Sequence, residues 1–180
     1  AKFLGYEIKA QRCNDYIDPK GRRGANGAIA LLVPARVIED KCRSFMRYGK
    51  VTHRNALLHD DDFSIVQRFQ QEYRGVVQYY VLAQNLSWFS KLYWTMETSL
   101  LKTLACKHRS SIKKQKAKYK TTTTSTSGKT VHCLQVVVER PGKKPLVATW
   151  GGISLAHKRK AVIEDKPYKV YGGRTELIKR

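Results

Sequence analysis

Residues 68–85, RFQQEYRGVVQYYVLAQN, and residues 99–118, SLLKTLACKHRSSIKKQKAK, decide how this chain folds. Around the first, Phe63, Val66, Phe69, Tyr73, Val76 or Val77 and Tyr80 recur at steps of three or four, the spacing of a buried helical stripe. Arg68, Gln71, Arg74, Gly75 and Gln78 fall on the other side, free to face water or a ligand. Leading into the second, Phe89, Leu92, Tyr93, Met96, Leu100 and Leu104 keep the same period, and Ser87 is placed to cap the helix through its hydroxyl. The spacing predicts helices over 63–85 and 88–108. If the latter runs on through Ser110, then Lys102, Arg109, Lys113, Lys116 and Lys120 share roughly one face, and Leu101, Leu104, His108 and Ile112 another. At about 1.5 Å per residue, a positive ridge from Lys102 to Lys120 would be roughly 27 Å long.

Upstream, Pro34 suits a first helical turn and Gly49 a C-terminal cap, which predicts a helix over 35–48. Val37 or Ile38, Cys42, Phe45 and Met46 would point inward, and Arg36, Lys41, Arg43 and Arg47 outward. Three such helices can cover one another's apolar stripes as a bundle. Before them, residues 1–33 read as strands and turns: Phe3, Leu4, Tyr6 and Ile8 give one strand, Ala28–Val33 another, with turn chemistry at Asp18-Pro19-Lys20-Gly21 and Ala25-Asn26-Gly27. After them, Thr121–Ser127, TTTTSTS, is a low-complexity joint. Val131–Glu139 alternates, with Leu134, Val136 and Val138 on one side. Pro141-Gly142 suits a type II turn and Leu146–Trp150 returns. That hairpin either packs on the bundle or stands as a small lobe. Residues 161–180 read as a tail or linker. The fold class is therefore α+β: a mainly helical three-helix bundle with a short N-terminal strand pair and a C-terminal β-hairpin lobe.

Charge narrows the function. The chain of 180 residues holds 35 Lys plus Arg against 14 Asp plus Glu. Residues 1–100 carry 15 basic and 10 acidic side chains, residues 101–180 carry 20 and 4, so the excess is concentrated at one end. A second basic knot, His157-Lys158-Arg159-Lys160, adds to it. Such segregation attracts a polyanion, either nucleic acid or anionic lipid. The longest apolar run, Ala28–Ala35, contains Pro34 and falls far short of the roughly 20 residues that cross a bilayer. Cys13, Cys42, Cys106 and Cys133 are widely spaced, without a C-x-x-C pair, and read as reduced thiols rather than zinc ligands or a disulfide framework. The chain shows no signal peptide and does not open on Met, so it reads as a piece of a longer product.

His59-Asp60-Asp61-Asp62 admits two readings. Carboxylate clusters bind magnesium in polymerases and nucleases. Three Asp immediately before an amphipathic helix also supply an N-cap and favourable charge at the positive end of its dipole, and this reading is preferred. Tyr79, Trp88 and Trp94 fall beside the inward stripes. Partial burial with a polar tip at the surface is preferred for them over base stacking.

The run R-F-x-x-x-Y-R-G-x-x-x-Y-Y at Arg68–Tyr80 and the run S-L-x-x-T-L-A-x-K at Ser99–Lys107 resemble the maturase domain, domain X or thumb, of group II intron reverse transcriptases. Lys2–Ile8, KFLGYEI, resembles the last block of that family's palm, and Tyr171–Leu177, YGGRTEL, the lead-in to its C-terminal DNA-binding and endonuclease region. The resemblance implies a division into the end of the palm at 1–33, helical domain X at 34–120, a linker and small β lobe at 121–166, and the lead-in at 167–180. It implies that the chain binds group II intron RNA, assists its folding and splicing, and serves the full-length protein as a polymerase thumb on template–primer duplex, with target DNA a further partner. The polymerase carboxylates would precede Ala1, so the chain would not itself be an enzyme. It would need no cofactor of its own, while the full-length polymerase and the ribozyme would need magnesium. The setting would be a bacterial cytoplasm, a mitochondrion or a plastid, with no membrane partner.

Cations at close intervals displace counterions from phosphates, which gives affinity with little sequence information. The candidate RNA contacts are Arg68, Arg74, Lys102, Lys107, Arg109, Lys113, Lys114 and Lys118, with Lys91 and Lys129 as outliers. Arg74 and Lys107 gain from lying in the family-like runs, whereas Lys116 and Lys120 rest on charge alone. Gly75 is read as permitting close helix packing or RNA approach. Two competing readings are a metal-dependent nuclease or polymerase fragment using His59–Asp62, and a module that binds anionic membrane surfaces.

Overall fold

A computed structural model describes residues 1–11, 17, 19, 21–22, 28–124 and 130–157. The predicted turns at 18–21 and 25–27, the basic knot at 157–160, the YGGRTEL run, Cys13 and Lys129 lie wholly or largely outside the described residues. Four helices and three small antiparallel sheets make up the described chain. In order they are β1 (Lys2–Phe3), β2 (Tyr6–Gln11), β3 (Ala28–Leu32), α1 (Ala35–Arg43), β4 (Met46–Arg47), β5 (Lys50–Val51), α2 (Asp62–Tyr79), α3 (Phe89–Lys107), α4 (Ile112–Tyr119), β6 (Lys120–Thr124), β7 (Thr130–Arg140) and β8 (Lys143–Trp150).

The two long helices follow their apolar periods. Val66, Phe69, Tyr73, Val77 and Tyr80 are buried, as are Phe89, Leu92, Met96, Leu100 and Leu104. Phe63, Val76 and Tyr93 pack against that core half-buried. The core extends beyond the helices, because Trp150, at the end of β8, is fully enclosed among Phe69, Tyr73 and Tyr93. The C-terminal strands are therefore a wall of the same core, not a detached lobe. Gln70 fixes that wall to α2: its amide nitrogen donates to Gly151 O at 3.0 Å and its oxygen accepts from Gly151 N at 3.0 Å. Gly151 adopts φ 107, and a Cβ there would come 3.0 Å from the Tyr93 hydroxyl, so both backbone and space call for glycine.

Besides the end of α2 at Tyr79, where the sequence reading carried the helix to residue 85, local chemistry departs from that reading at four places. First, the helix expected over 35–48 ends at Arg43, and Gly49 closes a hairpin instead. Tyr48 and Gly49 take φ 50 and 72 between the paired Arg47 and Lys50, the positive-φ pair that a two-residue hairpin loop requires. Second, the N-terminal pair is a three-stranded sheet whose first turn, Leu4-Gly5, also has positive φ at both residues. Tyr79 and Tyr80, at the end of α2, donate from their hydroxyls to Leu4 O and Gly5 O, docking this sheet. Asn85 completes the join, accepting from Val33 N at 2.7 Å and donating to Val33 O at 3.0 Å. Third, the threonine run is not a structureless joint: Thr121–Thr124 belong to β6, paired with β7. β-branched residues suit a pleated surface once a partner strand is present. Fourth, Ser87 lies in a 3₁₀ turn over Leu86–Trp88 and caps nothing.

The hairpin of β7 and β8 is present with Pro141-Gly142 as its loop and Gly142 at φ 67. Leu134 and Val136 are buried as expected, whereas Val138, nearer the loop end of the ribbon, stands 38% exposed.

Candidate nucleic-acid interface

The basic segment after Thr103 is not one helix. At the end of α3, Arg109 N donates to Cys106 O at 3.2 Å and Ser110 N to Ala105 O at 2.9 Å, with Arg109 at φ 45. This pair of bonds around a left-handed residue is a Schellman stop. The chain turns and begins again as α4, where the Ser111 hydroxyl accepts from Lys114 N at 3.3 Å as an N-cap. The projected 27 Å ridge is thereby overturned. Eight residues of α4 span about 12 Å.

One carboxylate fixes the corner between α3 and α4. Asp62, the first residue of α2, accepts from Lys107 Nζ at 2.8 Å and from the Tyr119 hydroxyl at 2.5 Å, and its Oδ2 lies 2.8 Å from His108 Nε2. Three helices thus converge on a side chain that is 18% exposed. Burial alone would raise its pKa, but the bonds from Lys107, Tyr119 and His108 outweigh it and hold the carboxyl at about 2. Burial and the Asp62 charge push the Tyr119 hydroxyl well above its usual value. Asp61 occupies the N-cap position without a side-chain cap bond, so the expected capping does not occur there. With both oxygens of Asp62 committed to protein donors, the metal reading of His59–Asp62 loses its central ligand, and no metal-holding group of His, Cys, Asp or Glu occurs among the described residues.

The sequence-predicted cations divide by what surrounds them. Lys107 also donates to Asp60 O and is only 23% exposed. Lys102 donates to Val51 O at 2.6 Å, beside Ser99, which donates to Thr52 O, and Thr103, which accepts from Arg54 N. These two lysines therefore hold the 51–62 connection against α3. Arg109, Lys113, Lys114 and Lys118 are exposed, and none pairs with a carboxylate among the described residues. They stand together because Gln115 and Tyr119 turn inward, leaving the outer side and flank of α4 to Lys113, Lys114 and Lys118. Lys118 covers the Tyr119 ring at 4.8 Å. Lys116 reaches back to Glu97 at 3.1 Å and, with Lys120, lines a cavity of about 240 Å³ bounded by Tyr93, Glu97 and His132.

The remaining assignments lie elsewhere. Arg68 is exposed on α2 with its Nε 3.9 Å from Glu72, whose carboxylate is held more closely by Arg54 at 2.7 and 2.9 Å. Arg74 is exposed on α2, and Lys91 sits in the first turn of α3. A Cβ on Gly75 would meet nothing within 4 Å, so helix packing does not demand that glycine. Tyr79 keeps its predicted polar tip, bonded to Leu4 O, while Trp88 and Trp94 remain 53% and 63% exposed. The sequence reading overlooked Arg140, Lys143 and Lys144, which crowd the exposed β7–β8 turn; their proximity to Pro141-Gly142 was the available signal.

What the geometry defines is a cationic corner on a mixed α/β body. The chain belongs to the type II intron maturase family, the match covering residues 28–134. It is 33% identical over 134 residues to the group II intron-encoded protein LtrA of Lactococcus lactis subsp. cremoris, covering 67% of this chain and 22% of that protein. The same figures hold for LtrA of strain MG1363. The chain thus spans about a fifth of the length of these relatives. Membership in the family supports a role in group II intron splicing.

Proposed function

We propose that this chain binds folded group II intron RNA through the α3–α4 corner and thereby assists the intron's folding and splicing. The observation that carries the reading is the cluster of Arg109, Lys113, Lys114 and Lys118: exposed, free of carboxylate partners among the described residues, and mounted on α4 and the turn before it, both fixed by Asp62. A fixed array of cations meets phosphates whose spacing is set by RNA tertiary structure, so it selects shape rather than sequence. Family membership supports intron RNA as that partner. In the longer protein the same body would serve as the thumb against template–primer duplex, and the parent would be a reverse transcriptase. Magnesium would act in the polymerase palm and in the ribozyme. The setting would be wherever such an intron is transcribed: a bacterial cytoplasm, a mitochondrion or a plastid.

The test is splicing of the cognate intron at magnesium concentrations too low for the RNA to fold alone. Added protein should restore splicing, and a variant with Arg109, Lys113, Lys114 and Lys118 all changed to Ala should not. Equal rescue by that variant would remove α4 from the interface.

A further inference from the structure

Away from α4, the start of α3 and one side of α1 flank an open cleft of about 380 Å³, lined by Ala35, Ile38, Glu39, Trp88, Ser90 and Lys91. Ala35, Ile38 and Glu39 stand at i, i+3 and i+4 on α1, and Trp88 and Lys91 are three residues apart, so each element presents one face to the gap. The volume lies in the range of small-ligand sites. One wall is the Trp88 indole, 53% exposed. Glu39 and Lys91 are exposed, and neither side chain enters an ion pair among the described residues.

An open indole, an unengaged carboxylate and an unengaged ammonium offer what a single unpaired nucleotide needs. The indole gives a stacking surface, the carboxylate an acceptor for the base edge, and the ammonium a charge for the phosphate. The acceptor also chooses. Uracil presents one N–H between two carbonyl oxygens that repel a carboxylate. Adenine and cytosine each present one amino group beside a ring acceptor. Guanine sets N1–H and N2–H side by side, matching the two oxygens of Glu39. A cationic peptide could also stack on Trp88 and pair with Glu39, but a chain of net charge +21 repels it.

We propose that this cleft receives an unpaired guanine of the bound RNA, stacked on Trp88, held along its Watson–Crick edge by Glu39, with its phosphate against Lys91. The proposal rests on the RNA-binding reading above and deepens it: α4 grips phosphates without regard to sequence, and the cleft adds a preference for one base.

The test compares two single-stranded RNA heptamers, all-uridine and uridine with one central guanosine, binding to the whole chain at low salt. The guanosine heptamer should bind about tenfold tighter. Glu39→Ala should reduce that preference to less than twofold, chiefly by weakening the guanosine heptamer. Trp88→Ala should weaken both heptamers about fivefold, and Trp88→Phe should restore most of that loss. Since both side chains are exposed, melting temperatures of the variants should match the parent and separate loss of contact from loss of fold. Equal binding of the two heptamers, or a preference that survives Glu39→Ala, overturns the cleft and leaves the α4 reading standing. Failure of both heptamers to bind overturns the cleft alone, because the α4 reading concerns folded RNA and is judged by intron splicing.

Discussion

The last turns of α3 and the outer side of α4 carry the same residue type, yet they use it in opposite ways. On α3, Lys102 and Lys107 turn back and bond to Val51 O, Asp60 O and Asp62. On α4, Lys113, Lys114 and Lys118 meet no carboxylate among the described residues and face solvent. The difference lies in what lies opposite. α3 is covered by the 51–62 connection, whose carbonyls and carboxylate need donors, whereas only the Gln115 and Tyr119 face of α4 is covered. Charge in a sequence is therefore not charge available to a ligand. The inward lysines of α3 hold the position from which the outward lysines of α4 project.

This contrast can be broken most severely at Lys107. Lys107→Met should cost about 2 to 3 kcal/mol in urea unfolding, because the half-enclosed Asp62 loses its nearest cation. Next comes pH. Asp62 sits at about 2 in the folded chain against a usual 3.8, so its ionisation contributes about 2 kcal/mol, fully present above the unfolded value and lost as pH falls through the folded one. Stability should drop between about pH 4 and pH 2, and Asp62→Asn should flatten that part of the profile while lowering stability at pH 7. Lys102→Ala should cost about 1 to 2 kcal/mol, since one charge-assisted bond to a carbonyl is lost at a partly exposed site. Smallest is Arg109→Gly. Glycine takes φ 45 without strain, so melting should rise by the equivalent of about 1 kcal/mol even though a candidate phosphate contact has gone. A fall in stability there would show that Arg109 is held by contacts beyond its own turn.

Much of this was readable from residue order. The stripes of α2 and α3 were, because burial on a helix imprints a period that needs no knowledge of the partner. The exposed lysines of α4 were as well, being dense and local. The helix break between them was not: the usual stop signal is glycine, and here arginine occupies the left-handed position. Leu4 and Tyr48 hid two hairpins for the same reason. β6 was invisible because a threonine run becomes a strand only when β7 lies beside it. The inward roles of Lys102 and Lys107 depend on partners 51 and 45 residues away, a distance over which spacing rules carry no information. The cleft at Trp88 and Glu39 joins α1 to α3 across a similar gap, and no local pattern announces it.

The division between structural and available cations is tested most directly by the salt dependence of intron RNA affinity in two variants. Changing Lys113, Lys114 and Lys118 together to Ala should flatten the log–log slope by about 0.7 to 0.9 per lysine while melting stays within about 0.5 kcal/mol per site. Changing Lys102 and Lys107 together to Met should lower stability and, at temperatures where the chain remains folded, leave the slope unchanged. Equal loss of slope in both, or loss only in the second, would contradict it.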